Sequence, residues 1–224
     1  MAAMVKLCAT IILLTLSGLA RAADVERPAT PAAALEALQA GNARFVGNEP
    51  RAHDYLAGVA ATAGGQQPFA AIISCLDSRV PPEIVFDQGI GDVFVGRIAG
   101  NYVDTDLLGS LEFATAVVGA KLIVVLGHTD CGAVKGACDN VELGNLTHTL
   151  SNLKPAVAAV PGFEGERTSA SKDFVQAVTH TNVEQNVEQI TERSSVIADL
   201  VAQGKVTVVG AIYDVATGKV AFLD

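Results

Sequence analysis

The chain has 224 residues, 50% hydrophobic and only 17% charged, a balance that excludes an intrinsically disordered chain and supplies enough apolar material for a sizeable core. A formal charge of −9, with 5% aromatics and no Trp, argues against a nucleic-acid partner. Four Cys in this length are too few for a disulfide scaffold, which leaves a compact domain acting on something small.

Between Lys6 and Arg21 runs the apolar stretch Leu7–Ala20, short of the ~20 residues that span a bilayer. It ends in Ala20-Arg21-Ala22, an A-x-A cleavage pattern. Residues 1–22 therefore read as a secretory signal peptide, with an uncleaved membrane anchor as the alternative. Cleavage would give an exported protein, periplasmic or secreted, with no membrane attachment; Cys8 lies away from the cleavage site, which argues against a lipoprotein. The mature chain keeps Cys75, Cys131 and Cys138, an odd number, so at least one thiol has a use other than a disulfide.

Residues 23–60 form a helical arm in this reading, with Leu35, Leu38, Asn42 and Phe45 along one side of a helix from Pro31, and 61–224 form a single α/β domain. The Gly/Ala-rich stretch 57–65 is expected to be a linker or loop. Phe69–Ser74 is a short apolar run of the kind buried in a parallel sheet, and Asp92–Ile98 is a second strand. Asp104 can cap a helix carrying Leu107, Leu111, Ala114 and Val118 on one face and ending at Gly119. Lys121–Leu126 is the clearest strand, Gly127–Gly132 the turn after it, and a helix starts from Ala133. Residues 160–181 are expected to be loop or a short helix. Val183, Val187, Ile190, Ser194, Ile197 and Val201 predict one long amphipathic helix stopped by Gly204. Lys205–Ile212 and Lys219–Leu223 flank the turn Asp214–Gly218 as a hairpin. The fold class is α/β, a mostly parallel central sheet flanked by helices with an antiparallel edge strand at the C-terminus.

Ligand-type residues sit where strands end, the place where open parallel sheets bind ligands. Cys75 follows the Phe69–Ser74 run; His128 and Cys131 follow the Lys121–Leu126 run. If the two strands are neighbours, Cys75, His128 and Cys131 meet as a zinc-type set with the fourth position open, as catalytic zinc sites have it. Two buried structural thiols and a satisfied core histidine are the competing reading, and Cys138 reads as a buried apolar residue. Asp77 lies two positions beyond Cys75, within reach of that open position, and Arg79 can hold its carboxylate by a bidentate pair that keeps it an acceptor.

Cys75-Leu-Asp-Ser-Arg79 followed by His128-Thr-Asp-Cys-Gly132 resembles the paired signature of the β-class carbonic anhydrases, C-x-D-S-R and H-x-x-C-G. Further segments are similar to that family: Gly89–Phe94, Arg97-Ile-Ala-Gly-Asn101, Ser110–Phe113, Asn182–Val187 and Val209–Asp214. The resemblance runs from about residue 31 to the end. It implies one Zn2+ per chain on Cys75, His128 and Cys131, with Asp77 and Arg79 as the catalytic pair. It also implies a substrate-facing Gln66 and apolar pocket positions Phe94 and Ala99. Phe113 stands where many members have tyrosine, and its missing hydroxyl removes a hydrogen bond there. Ile72 stands where bicarbonate-regulated members carry Trp, which points to the open, water-ligated form.

The implied function is reversible hydration of carbon dioxide to bicarbonate and a proton through a zinc-bound hydroxide, by a homodimer or homotetramer whose N-terminal helix embraces the partner. Hydrolysis of carbonyl sulfide or carbon disulfide on the same scaffold is the alternative. A redox protein would want a C-x-x-C pair, and a cysteine phosphatase C-x5-R; the chain has neither arrangement at these cysteines.

Overall fold

The structure is a computed structural model and describes residues 27–160 and 162–223; the signal-peptide reading of residues 1–22 lies outside them. Among the described residues, five strands make one sheet: β1 (Ala70–Ser74), β2 (Val93–Arg97), β3 (Leu122–His128), β4 (Thr207–Tyr213) and β5 (Val220–Phe222). Their order is β2-β1-β3-β4-β5, parallel except for the β4/β5 hairpin. The α/β class, the mostly parallel sheet and the antiparallel edge strand all match the sequence reading. The Val/Ile/Leu runs are buried on both faces, as parallel strands require, and every residue of β1 and β3 is buried.

Helix α1 (Pro31–Val46) begins with Thr30, whose hydroxyl accepts the Ala33 N–H, and with Pro31 in the first turn. It lies on its own chain's sheet, with Ala34 and Leu38 in the core that holds Ile72, Val124, Leu126 and Phe86. Gly41 is required there, because a Cβ would stand 1.8 Å from the Phe86 carbonyl oxygen. Phe86 closes the short helix α3 (Pro82–Val85). Arg44 and His53 reach the buried Asp87 carboxylate at 2.5 and 2.8 Å, and the Arg51 N–H donates to it, which ties α1 and the segment after it to the α3 end.

The stretch expected to be loop from residue 57 is instead α2 (Tyr55–Thr62). Asp54 accepts the Ala57 N–H and starts it, and its alanines have high helix propensity; none of its side chains is buried, so no apolar period betrays it.

On the opposite face of the sheet, Ala71, Ile73, Ile123 and Val125 pack against α4 (Thr105–Glu112), α8 (Lys172–Arg193) and α9 (Ser195–Ala202). Asp104 caps α4 as expected, but a π-helical turn, Phe113–Val117, follows it and leaves Phe113 exposed. Two expectations are corrected here. Helix α8 already begins at Lys172, capped by Ser171, within the span read as loop or short helix. The single long helix is two, broken at Ser194, whose hydroxyl accepts the Ile197 N–H and donates to Glu112 at 2.6 Å. Ile190 and Ile197 share one core across the break, which is why the apolar spacing reads as continuous.

Between β3 and α8 lie α5 (Gly132–Cys138), α6 (Gly144–Ser151) and α7 (Lys154–Ala159). They build a third core with the start of α8, in which Cys75, Cys131 and Cys138 are buried with Leu150, Leu153 and Phe174.

Candidate metal centre

The site follows from strand register. Ser74 pairs with Leu126, so β1 and β3 end together, but β3 runs two residues further than expected and carries His128 within the strand. The chain leaves β1 to add β2 on one side and returns to add β3 on the other, so Cys75 and His128 stand at the point where strand order reverses. Cys131 then sits at the start of α5, pointing into the third core.

The ligand atoms of Cys75, His128 and Cys131 all lie within 4.8 Å of one another, and the two sulfurs are 3.9 Å apart. The Thr129 carbonyl can only accept, so its 2.9 Å contact with His128 Nδ1 puts the proton on Nδ1 and the lone pair on Nε2. Nε2 is fully buried with no hydrogen-bond partner. A buried orphan nitrogen aimed into a pair of thiols is what a metal ligand set looks like before the metal is added. The structure thus joins the three residues, and the histidine of the competing reading is not satisfied at Nε2.

The two sulfurs are close enough for one thiol to donate to the other. That contact with Cys131, against the cost of burial and helped by His128 and the Gly100 N–H, lowers the Cys75 thiol to about 4. The same contact, with burial, pushes Cys131 far up. A divalent cation would displace the thiol proton.

Asp77 lies on the open side, its Oδ2 3.9 Å from His128 Nε2. Arg79 holds it in a fork: Nε donates to Oδ1 at 3.0 Å, Nη2 to Oδ2 at 2.8 Å, and the Arg79 N–H to Oδ1 at 2.9 Å. That side-chain bond, outweighing partial burial, holds the carboxyl at about 2, so it is an acceptor at neutral pH. Asp130, held in turn by Lys135, lies with its Oδ2 3.5 Å from Arg79 Nη1.

The remaining predicted residues sit apart. Phe94 lines an apolar cavity of about 530 Å³ with Ile73, Gly96, Leu107 and Phe113, its ring edge-on to Phe113 at 6.2 Å. Ala99, half-buried, precedes Gly100, whose N–H donates to Cys75 Sγ at 3.4 Å. Gln66 is exposed and lines a separate depression with Thr62, Gly65 and Gly91, away from the three ligands of its own chain.

Sequence reasoning missed the supporting residues. Gly100 takes φ +90°, and a Cβ there would meet Leu153 at 2.7 Å; its carbonyl accepts from the buried Asn182 amide. Asn186 accepts the Val103 N–H and donates to the Asn182 carbonyl, so two asparagines on the inner face of α8 fix residues 100–103. Asparagines at i and i+4 facing a core were the available signal.

The fold and the site together define an α/β protein with a Cys-His-Cys metal-type centre at a topological switch point and a forked Asp–Arg pair beside it. Residues 70–220 match the carbonic anhydrase family model. The chain is 39% identical over 203 residues to carbonic anhydrase 2 of Mycobacterium tuberculosis, covering 87% of this chain and 93% of that one. Among solved structures it is similar to the β-carbonic anhydrase CafA of Aspergillus fumigatus, with TM-score 0.66, 30% identity and coverage of 74% and 80%. It is likewise similar to a structure of two tetrameric β-carbonic anhydrases from Sordaria macrospora, with TM-score 0.63, 30% identity and coverage of 72% and 83%. The chain belongs to the β-class carbonic anhydrases, enzymes of carbon dioxide hydration.

Proposed function

We propose that this enzyme hydrates carbon dioxide reversibly with one Zn2+ per chain on Cys75, His128 and Cys131. The carrying observation is the convergence of two thiols and an orphaned, buried imidazole Nε2 on one point. When bound, zinc supplies the Lewis acidity that makes a water molecule a nucleophile near neutral pH. Arg79 fixes Asp77 as an acceptor, so with zinc bound Asp77 would take a hydrogen bond from that water and orient it toward the substrate. The Asp–Arg fork leaves the carboxylate engaged away from the metal position, which supports the open form. The product proton passes to buffer. Ala99, next to the Gly100 that contacts Cys75, offers an apolar neighbour suited to a small nonpolar substrate, whereas Phe94 lines a separate cavity of its own chain.

Assembly as a homodimer or homotetramer is supported by what one chain leaves uncovered. Leu56 on α2 is 81% exposed, Val117 73% and Leu76 65%, and Gln66 lies away from its own chain's centre. Export to the periplasm or the exterior is supported by the 7–20 segment and the A-x-A pattern after it. Among the described residues no helix is long and apolar enough to cross a membrane.

The test is metal analysis paired with stopped-flow assays on carbon dioxide, carbonyl sulfide and carbon disulfide. About one zinc per chain, rapid hydration of carbon dioxide, and loss of both in Cys131→Ala are expected. A metal-free preparation that hydrates carbon dioxide at full rate overturns the reading, and turnover of the sulfur compounds alone selects the hydrolase.

A further inference from the structure

We infer that Arg97 is a positioning residue for this reaction: its guanidinium clamps three consecutive carbonyls and so fixes the turn that carries both Cys75 and Asp77. The inference deepens the zinc-hydration reading and rests on it. Arg97 closes β2, in register with Ser74, the last residue of β1. From there its side chain reaches past the strand end. Nε donates to the Cys75 carbonyl at 3.0 Å, and Nη2 to the carbonyls of Leu76 and Asp77 at 3.1 and 2.6 Å.

The turn needs such a clamp. Beyond Ser74 the β1/β2 ladder contributes only the Leu76 N–H to the Ile98 carbonyl, at 3.3 Å, and the Asp77 carbonyl otherwise accepts only the Val80 N–H. Three charge-assisted bonds from one planar group fix the three carbonyls relative to one another, which a point-donor ammonium cannot do. Arg97, exposed at the strand end, makes no ion pair among the described residues and bonds only backbone carbonyls there, whereas Arg79 is engaged by the Asp77 carboxylate. The clamp therefore sets the spacing between a sulfur that would bind metal and the carboxylate that would orient the attacking water. A misplacement of about 1 Å between such groups costs on the order of 100-fold in rate.

The test compares Arg97→Gln and Arg97→Lys with the parent in three readouts. The first is hydrogen exchange at the Leu76 and Arg79 amides in metal-free protein. The second is zinc release to a chelating dye. The third is kcat and KM for carbon dioxide. In Arg97→Gln, exchange at both amides and zinc release should quicken about 10-fold or more, and kcat should fall about 10–100-fold with KM within about twofold. Arg97→Lys, with the charge kept and the fork lost, should recover only part of each. Parent-like exchange and zinc release in Arg97→Gln overturns the clamp. So does Arg97→Lys indistinguishable from the parent, which would leave only a charge effect. If Arg97→Gln does not fold, Arg97→Lys decides on the same readouts. A parent enzyme without zinc or hydration would sink the zinc reading, whereas the exchange comparison needs neither and still judges the clamp.

Discussion

The chemistry at Asp77 depends on one carboxylate being held in a single orientation and a single charge state. Three N–H groups of Arg79 converge on its two oxygens, and the resulting pull keeps the carboxyl at about 2, far below any working pH. Asn at this position preserves size and polarity but presents an amide whose nitrogen would oppose the Arg79 donors and cannot accept from water. Asp77→Asn should therefore keep its zinc and its fold while carbon dioxide hydration falls by about 10²–10⁴-fold, the range for losing a positioned proton acceptor. Metal analysis and stopped-flow rates on one preparation decide it; full turnover would make Asp77 a bystander. This much of the site was readable in the chain itself. Cys75, Asp77 and Arg79 lie within five residues, and His128 and Cys131 within four, so local spacing already restricts their geometry. Gly100 and Arg97 were not readable as site residues, because Gly100 acts through its own backbone N–H and Arg97 on backbone carbonyls, and a main-chain partner leaves no mark in the sequence.

Elements show the same division between what a pattern reveals and what a contact decides. The strands were legible because burial on both faces demands continuous Val, Ile and Leu. Helix α2 was not, because it buries none of its side chains. The break between α8 and α9 was invisible because the Ser194 hydroxyl, bonded to Glu112, interrupts the backbone without disturbing the apolar stripe. The junction of α1 with α3 rests on a similar hidden polar contact at Asp87. Burial raises this carboxyl's pKa, but hydrogen bonds from Arg44, His53 and the Arg51 N–H outweigh it, and the net shift is downward. A carboxyl lowered on folding adds stability above its unfolded value of about 3.8, and loses it as pH falls through the folded value. Asp87→Asn should then cost about 2–3 kcal/mol at pH 7, as for hydrogen bonds to a charged group. The gap to the parent should narrow as urea titrations move below pH 4. A gap that stays constant with pH would mean that the contact's contribution does not depend on its charge.

For the molecule as a whole, the metal centre is also a structural joint. Cys75 follows β1, His128 ends β3 and Cys131 caps the start of α5, so one ion would tie the sheet to the core formed by α5, α6, α7 and the start of α8. Without an ion, the His128 Nε2 is buried with no partner and the two sulfurs have each other at 3.9 Å, an arrangement that leaves polar atoms poorly satisfied in a dry place. Binding to the native state alone adds stability as RT ln(1 + [Zn]/Kd), about 2.7 kcal/mol when free zinc stands 100-fold above Kd. For a chain of this size that corresponds to a melting temperature about 5–10 °C higher than in the metal-free protein. Calorimetry before and after chelation, then after zinc is restored, measures it. Cys131→Ala should melt at the same temperature with and without zinc, because it lacks a ligand. A chelated parent that melts where the zinc-loaded one does would mean that the three side chains do not hold the ion together in the folded protein.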